Sequence, residues 1–298
     1  ACRESLAAMI LRCSPSGRTF REWIRSQASL KNWGDPPESV RTGSVGRNVA
    51  VDCGWGRLIF GQTFDDAKTL ARTLAEENEN QRDVAIYVHE PHVVLSYAPQ
   101  SLFLDPSHTF RLDLTRELKK STPSKHFSIR KAERGDEKGI NRLYLGREMV
   151  PVSDGYIDQL AQHPAVEVLV AVEIAGQGEI IGVVMSVDHQ KAMQDPDNGS
   201  SLWALAVDPQ APYPGVGESL VVALAGNRAD AGRSFMDLSV VHDNREAIAL
   251  YRKLGFEQIP VYTIKHKNPI NEKLFVGPTE ESGLNVYARI IVNEAKRR

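Results

Sequence analysis

The chain has 298 residues, 42% hydrophobic and 25% charged, with no apolar run of the roughly 18–20 residues that span a bilayer. It therefore reads as a folded, non-membrane protein long enough for two cores. The 36 Lys and Arg against 38 Asp and Glu give a formal charge of −2, which leaves no cationic excess for nucleic acid. Three cysteines, Cys2, Cys13 and Cys53, without C-x-x-C spacing, exclude a disulfide framework or zinc site as the expectation and fit a cytoplasmic location.

Residues 1–48 mix Pro and Gly with polar residues and predict a loosely ordered lead-in. From 49 to 120 a small α/β unit is expected: strands at 49–51 and 57–60, a helix over 65–78 from the spacing of Ala67, Leu70, Ala71, Leu74 and Ala75, then strands at 84–88, 93–97 and 109–114. The polar, Pro-bearing segment 121–125 predicts a boundary. A second domain over 126–275 reads as α+β: strand 127–130, helices 136–148 and 155–162, strands 167–174, 180–188 and 202–207, helix 216–231, strand 235–241, helix 245–254 and strands within 256–265. Residues 276–298 read as a linker and a helix with apolar spacing over 284–296.

Two segments carry chemistry. Leu202-Trp-Ala-Leu-Ala-Val207 is an apolar strand that feeds a Pro-rich turn, Gly215, Gly217 and an apolar helix. Open N–H groups at Val216, Gly217, Glu218 and Ser219, with the helix dipole, suit an anion, and the glycines permit its close approach. An ordinary glycine turn before a helix explains the same residues equally well, and Glu218 is an unwelcome charge beside an anion. Asn244-Arg-Glu-Ala247-Ile-Ala-Leu250-Tyr251-Arg-Lys-Leu254-Gly255-Phe256 fits N-x-x-A-x-x-L-Y-x-x-x-G-F without a mismatch. Asn244 suits the helix N-cap and Gly255 its left-handed end. His89, His92 and His108 lack metal-ligand spacing, His242 reads as shaping the turn before Asn244, and no metal site is expected.

Together these segments resemble the GNAT acetyltransferases. The resemblance implies the GNAT fold, a mixed and mostly antiparallel sheet flanked by helices, with acetyl-CoA as cofactor. Leu205, Ala206 and Val207 would pair with the pantetheine arm, 215–219 would hold the pyrophosphate, Asn244 would touch the coenzyme, and Tyr251 would protonate the departing thiolate. Pro212 stands where that family usually has Gln or Arg three residues before the first glycine. Asp188 and His189, at a strand end, are candidates for the base, against a commoner reading as a solvated turn.

The blocks Val51–Phe64, Leu102–Phe110, Asp195–Trp203 and Lys267–Glu272 are similar to bacterial N-acetylglutaminylglutamine synthetase, of osmoprotectant synthesis. That resemblance implies acetylation of the α-amino group of glutamine or Gln-Gln, and an ATP-grasp ligase region after the GNAT region, whose opening helix 284–298 resembles. Asn198, Ser200, Ser201 and Trp203 would then line the acceptor pocket, where an ordinary turn is the plainer alternative. Rival readings are a GNAT enzyme with another amine acceptor and a degenerate coenzyme A-binding module that regulates a ligase. The first domain is open between a worn GNAT-like half and a dimerisation unit, which would make a homodimer.

Overall fold

The computed structural model describes residues 45–120, 123–175 and 178–275. Cys2, Cys13, nearly all of the expected lead-in, and the expected linker and helix from 276 onward lie outside the described residues. Two mixed sheets carry the fold.

The smaller sheet contains Ala50–Asp52 (β1), Arg57–Phe60 (β2), Val84–Ile86 (β3), Leu102–Leu104 (β4) and Thr263–His266 (β12), in the order β1-β2-β3-β12-β4. One face is covered by Ala67–Ala75 (α1) and Pro91–Tyr97 (α2). Helix α1 starts where Asp66 accepts from the Thr69 amide at 2.7 Å. It buries Leu70, Ala71 and Leu74 with Ile59, Ala85 and Ile264. The segment 93–97, expected as a strand from its valines, is part of α2 instead. Pro91 at the start of that helix supplies the fixed φ of a first turn, and Val94 packs into the core beneath α1. The strand β4, in a stretch between the strands expected at 93–97 and 109–114, pairs antiparallel with β12.

The larger sheet has seven strands: Ser107–Asp113 (β5), Phe127–Lys131 (β6), Val166–Glu173 (β7), Ile180–Asp188 (β8), Gly199–Val207 (β9), Phe235–Val241 (β10) and Glu257–Ile259 (β11). Their order is β11-β5-β10-β9-β8-β7-β6, with only the β9–β10 pair parallel. All nine residues of β8 are buried, as expected of a central strand covered on both faces. On one face Glu137–Gly146 (α3) supplies Ile140, Leu143 and Tyr144 to the core. On the other lie Val216–Asp230 (α5) and Arg245–Lys253 (α6); the short His189–Met193 (α4) follows β8 and Glu272–Phe275 (α7) ends the described chain. Gly182 of β8 lets α5 sit close, since a Cβ there would lie 2.8 Å from both Leu220 and Val216.

The sheets do not divide the chain at 121–125. Strand β5, before that segment, pairs along its whole length with β10, and β12, after it, pairs with β3 and β4. Period and turn signals report a strand's existence but not its partner, so this exchange is invisible to local reading. The sheets also share a buried charge network. Asp237 on β10 accepts from Arg111 Nε at 2.7 Å, Arg111 Nη2 at 2.8 Å and Tyr87 Oη at 2.8 Å. Tyr87 follows β3, so one carboxylate holds both sheets. Asp237→Ala would leave Arg111 buried without its counter-charge, at a cost of about 3–5 kcal/mol. Urea denaturation of wild type and variant checks this, and a loss under about 1 kcal/mol would remove Asp237 from that role.

Candidate active site

Strands β9 and β10 run parallel in register from Gly199/Phe235 to Leu202/Leu238, and there the pairing stops. Beyond it β9 keeps its bonds to β8 on the other side, with a register shift between Trp203 and Ala206. Ala204 sits in that irregularity at φ +49°, a left-handed conformation that costs about 1–3 kcal/mol for a side chain such as alanine. The extra residue bends β9 away from β10. A wedge opens between Trp203–Val207 and Ser239–Val241, and its β9 edge carries no strand partner among the described residues. The wedge belongs to a cleft of about 1050 Å³.

The N-terminus of α5 faces the same cleft. Gly215 is the N-cap at φ +82°, and no side chain bonds the first amides. Ser219 N donates to Gly215 O at 2.9 Å and so belongs to the helix ladder, which leaves the amides of Val216, Gly217 and Glu218 as the open donors. A Cβ at Gly215 would meet nothing within 4 Å, and one at Gly217 would meet Val207 at 3.4 Å. The backbone here is bare on the cleft side, as close approach of an anion requires. Glu218 is paired outward with Lys119 and, at 2.7 Å, with Lys253. Hydrogen bonds from those two lysines hold its carboxyl below the usual range, so its charge is matched rather than aimed at an incoming anion.

From the far side of the wedge comes α6. Asn244 caps it by accepting from the Ala247 amide at 3.1 Å and also lines the cleft, as do Ala247, Leu250 and Tyr251. Tyr251 is buried against Phe256, and burial pushes its phenol up to about 12. The structure thus brings Leu205, Val207, Gly215, Val216, Gly217, Glu218, Asn244, Tyr251 and Trp203 into one cleft wall. Ala206 points away and packs against Val183.

Other residues proposed from sequence lie elsewhere. Asp188 and His189 are fully buried outside the cleft wall. Asp188 pairs with Arg228 at 3.5 Å and Arg233 at 3.3 Å, and its Oδ1 caps α4; His189 Nε2 bonds Ser201 Oγ at 2.9 Å. They form neither a solvated turn nor a base with access to substrate. Asn198 bonds Gly232 and Arg233, and Ser200 Oγ donates to Phe235 O at 2.9 Å. Gly232 and Arg233 follow the C-terminal end of α5, a 15-residue helix and so about 22 Å long from that end to the N-terminal end that faces the cleft, and Phe235 opens β10 just after them. Ser201 acts one layer back, since its Oγ accepts from Trp203 Nε1 at 2.7 Å and fixes that indole. Sequence reading missed Trp55, Arg82, Asp105 and Lys265, which line the cleft from the smaller sheet and its connections, and Ser107 and Ser239, which line it from β5 and β10. Long-range pairing brings them there, and no local motif marks them.

Among known proteins, the profile of the family described as FR47-like protein matches residues 181–264. A mycothiol acetyltransferase from Paenarthrobacter aurescens (strain TC1) is 34% identical over 83 residues. These residues belong to the GNAT acetyltransferase superfamily. The matched segment spans 28% of this chain and 25% of that mycothiol acetyltransferase. Similar solved structures include a putative GNAT-family acetyltransferase from Novosphingobium aromaticivorans DSM 12444, with a TM-score of 0.48 and 14% identity over 72% of this chain and 85% of that one. Another is a GCN5-related N-acetyltransferase from Kribbella flavida, with a TM-score of 0.46 and 12% identity over 77% and 91%. The GNAT segment spans β8 to β12 and therefore contains the wedge, the open helix terminus and Tyr251.

Gly217→Ala separates ligand contact from folding, because 3.4 Å to Val207 is ordinary contact. Acetyl-CoA affinity of this variant is expected to fall about tenfold or more with the melting temperature little changed, as one methyl group obstructs the open amides. Isothermal titration calorimetry beside a thermal melt reads both quantities, and full affinity in the variant would place the pyrophosphate elsewhere.

Proposed function

We propose that the chain is an N-acetyltransferase that moves the acetyl group of acetyl-CoA to a small-molecule amine. The observation that carries this reading is the meeting, in one cleft, of an unpaired strand edge, open helix amides and a buried tyrosine. An extended pantetheine arm carries amide groups that can add to the free β9 edge as a further strand would. The amides of Val216, Gly217 and Glu218, at the positive end of α5, suit a pyrophosphate. When bound, acetyl-CoA supplies an activated acyl carbon.

The residues then act as follows. A backbone N–H on the bent stretch of β9 at Ala204 or Leu205 could serve as a fixed donor to the negative charge on the acyl oxygen, and it would need no reorganisation as that charge appears. The acceptor amine must be neutral to attack, and an α-amino group with pKa near 8 is partly so already at neutral pH. Tyr251 stays protonated throughout the neutral range. A phenol at about 12 is a weaker acid than a thiol near 8.5, so its main contribution is a hydrogen bond to the departing sulfur rather than early proton transfer. Holding amine and thioester together provides much of the remaining acceleration.

For the acceptor we assign the α-amino group of glutamine or Gln-Gln. The support is the resemblance of the blocks at 51–64, 102–110, 195–203 and 267–272 to N-acetylglutaminylglutamine synthetase, together with the polar character of the far cleft wall. A cytoplasmic place beside an ATP-grasp ligase region, in osmoprotectant synthesis, goes with that assignment. No helix among the described residues is long and apolar enough to cross a membrane.

Thiol release from acetyl-CoA with glutamine, Gln-Gln, spermidine and a short peptide as separate acceptors tests this reading. Release dependent on glutamine or Gln-Gln is expected; binding of acetyl-CoA without release for any acceptor would favour the coenzyme-binding module. In the active protein, Tyr251→Phe should lower kcat about 10–100-fold, the worth of one hydrogen bond to a charged group, and leave acetyl-CoA affinity within about twofold. Unchanged turnover would take Tyr251 out of the leaving-group role.

A further inference from the structure

Polar side chains buried at the junction of the two sheets form one connected line that ends in the cleft. His189, Asp195 and Ser201 are all buried. Trp203 Nε1 donates to Ser201 Oγ at 2.7 Å, and the same oxygen lies 2.9 Å from His189 Nε2. His189 Nδ1 faces Asp195 Oδ2 at 3.7 Å, and that carboxylate is fixed in turn by the amides of Gly199 at 2.7 Å and Asp197 at 3.1 Å. One placement of protons serves the whole line. The carboxylate favours the imidazole proton on Nδ1, so Nε2 accepts from the Ser201 hydroxyl, whose oxygen accepts from the indole. The imidazole is also held against rotation. Phe60 and Tyr87 stand nearly perpendicular to it, with ring centroids 5.0 and 5.8 Å away. A Cβ at Gly199 would lie 3.0 Å from His189 Nδ1 and 2.4 Å from the Phe235 ring, so the first position of β9 has room for glycine alone.

A buried polar network that is satisfied throughout fixes one geometry, and here the group it fixes is the indole. On β9, Leu202, Leu205 and Val207 join the apolar cluster of α5 and α6, whereas Trp203 and Ala206 join the cluster on the opposite face. The open amides of α5 therefore lie on one face of the sheet and Trp203 on the other. A coenzyme held by those amides enters the wedge from the α5 face, which leaves the Trp203 face to whatever attacks the acyl group. Trp203 lines the cleft there beside Trp55, with 6.2 Å between ring centroids, and it immediately precedes the strained Ala204. A flat indole face in that place packs on the carbon skeleton of an incoming amine.

We propose that Trp203 shapes the acceptor side of the cleft and that Ser201 and His189 are positioning residues that act through its indole. The acceptor's part in this rests on the acetyltransferase reading; the fixing of the indole does not. The inference gives His189 a role that needs no access to substrate. It also gives the segment 195–203 a common purpose, since Asp195, Gly199 and Ser201 all serve the placing of one side chain.

The experiment uses the whole chain with isotope-labelled indoles. The sequence has four Trp, and the Trp203 Nε1–H resonance is the one absent from Trp203→Phe. In Ser201→Ala and His189→Leu that resonance should move and its exchange with solvent should quicken about tenfold or more. Ser201→Thr and His189→Gln, which keep a hydrogen-bonding partner in place, should restore it at least in part. Ser201→Ala removes a single oxygen and carries the test where a His189 variant fails to fold. Glutamine, Gln-Gln and spermidine are then added in turn to the CoA-bound protein, and the amine that is the acceptor should shift the same resonance. In the thiol-release assay Trp203→Phe should raise the acceptor KM about tenfold, with kcat and acetyl-CoA affinity within about threefold. The double variant Ser201→Ala/Trp203→Phe should be no worse than Trp203→Phe alone, because both changes act on one side chain. An indole resonance unchanged in Ser201→Ala, one indifferent to all three amines, or KM effects that add in the double variant would each overturn the inference. A resonance that responds to an amine in a wild type without thiol release would keep the acceptor wall and defeat acetyl transfer. Turnover with an acceptor KM indifferent to Trp203→Phe would do the reverse.

Discussion

The constraint on which the site depends is the end of pairing between β9 and β10 at Leu202 and Leu238. A parallel pair in the middle of an otherwise antiparallel sheet cannot close on itself by a hairpin, so α5 must cross between the two strands. That crossover places the N-terminus of α5 beside the outgoing end of β9. The bend at Ala204 then opens the sheet where the helix dipole points. The free strand edge and the open helix N-terminus are thus consequences of one topological event, and the conformation of Ala204 is a local strain held by the surrounding sheet.

The rest of the molecule closes what this opening would weaken. A gap in a central sheet exposes apolar side chains and unpaired backbone, and here β5 continues past the gap on β10 through Val241 and Ser107. The same chain then crosses through Asp105 to the smaller sheet, which β12 re-enters from the other direction. Asp237, with Arg111 and Tyr87, locks that arrangement from inside. Buried charges of this kind add little net stability over apolar packing, but they penalise any register in which they fail to meet. Their place between the sheets fits a role in fixing how the two sheets dock, and therefore the shape of the cleft between them.

Much of this was legible in the sequence where the signal is local. The 216–231 and 245–254 helices, the 180–188 strand, the Asn244 cap and the Gly215 turn follow from periodicity and capping chemistry, and the structure differs at their ends by a residue or so. The valines of 93–97 misled because β-branched residues speak for strands, while Pro91 and burial beneath α1 decided for a helix. Asp188, His189, Asn198 and Ser200 misled for a different reason. A polar residue at a strand end looks the same in sequence whether it faces substrate or completes a buried ion pair, and here Arg228 and Arg233 reach back from α5 and the turn after it to claim the end of β8. Arg82, Asp105 and Lys265 carry no motif, since they meet only because distant strands share a sheet.

Pro212 bears on how the proposed anion site could dispense with a side chain that the resemblance would lead one to expect. Proline brings no donor to an anion, but it fixes φ in the loop between β9 and α5. That loop is pinned at both ends by other groups: Asp208 accepts from Arg142 at 2.6 Å, and Tyr213 donates to Glu173 at 2.5 Å while stacking on His126. Asp208 also accepts the Gln210 amide at 2.9 Å, which tightens the first turn of the loop. With the loop held this way, Gly215 takes its left-handed conformation without help from residue 212, and in the proposed coenzyme site the contact with the anion would fall to the main chain of 216–218. A main-chain site of that kind depends on geometry more than on charge. Substitutions that reshape the backbone at Gly215 or Gly217 therefore bear on it more heavily than the identity of the side chain at 212.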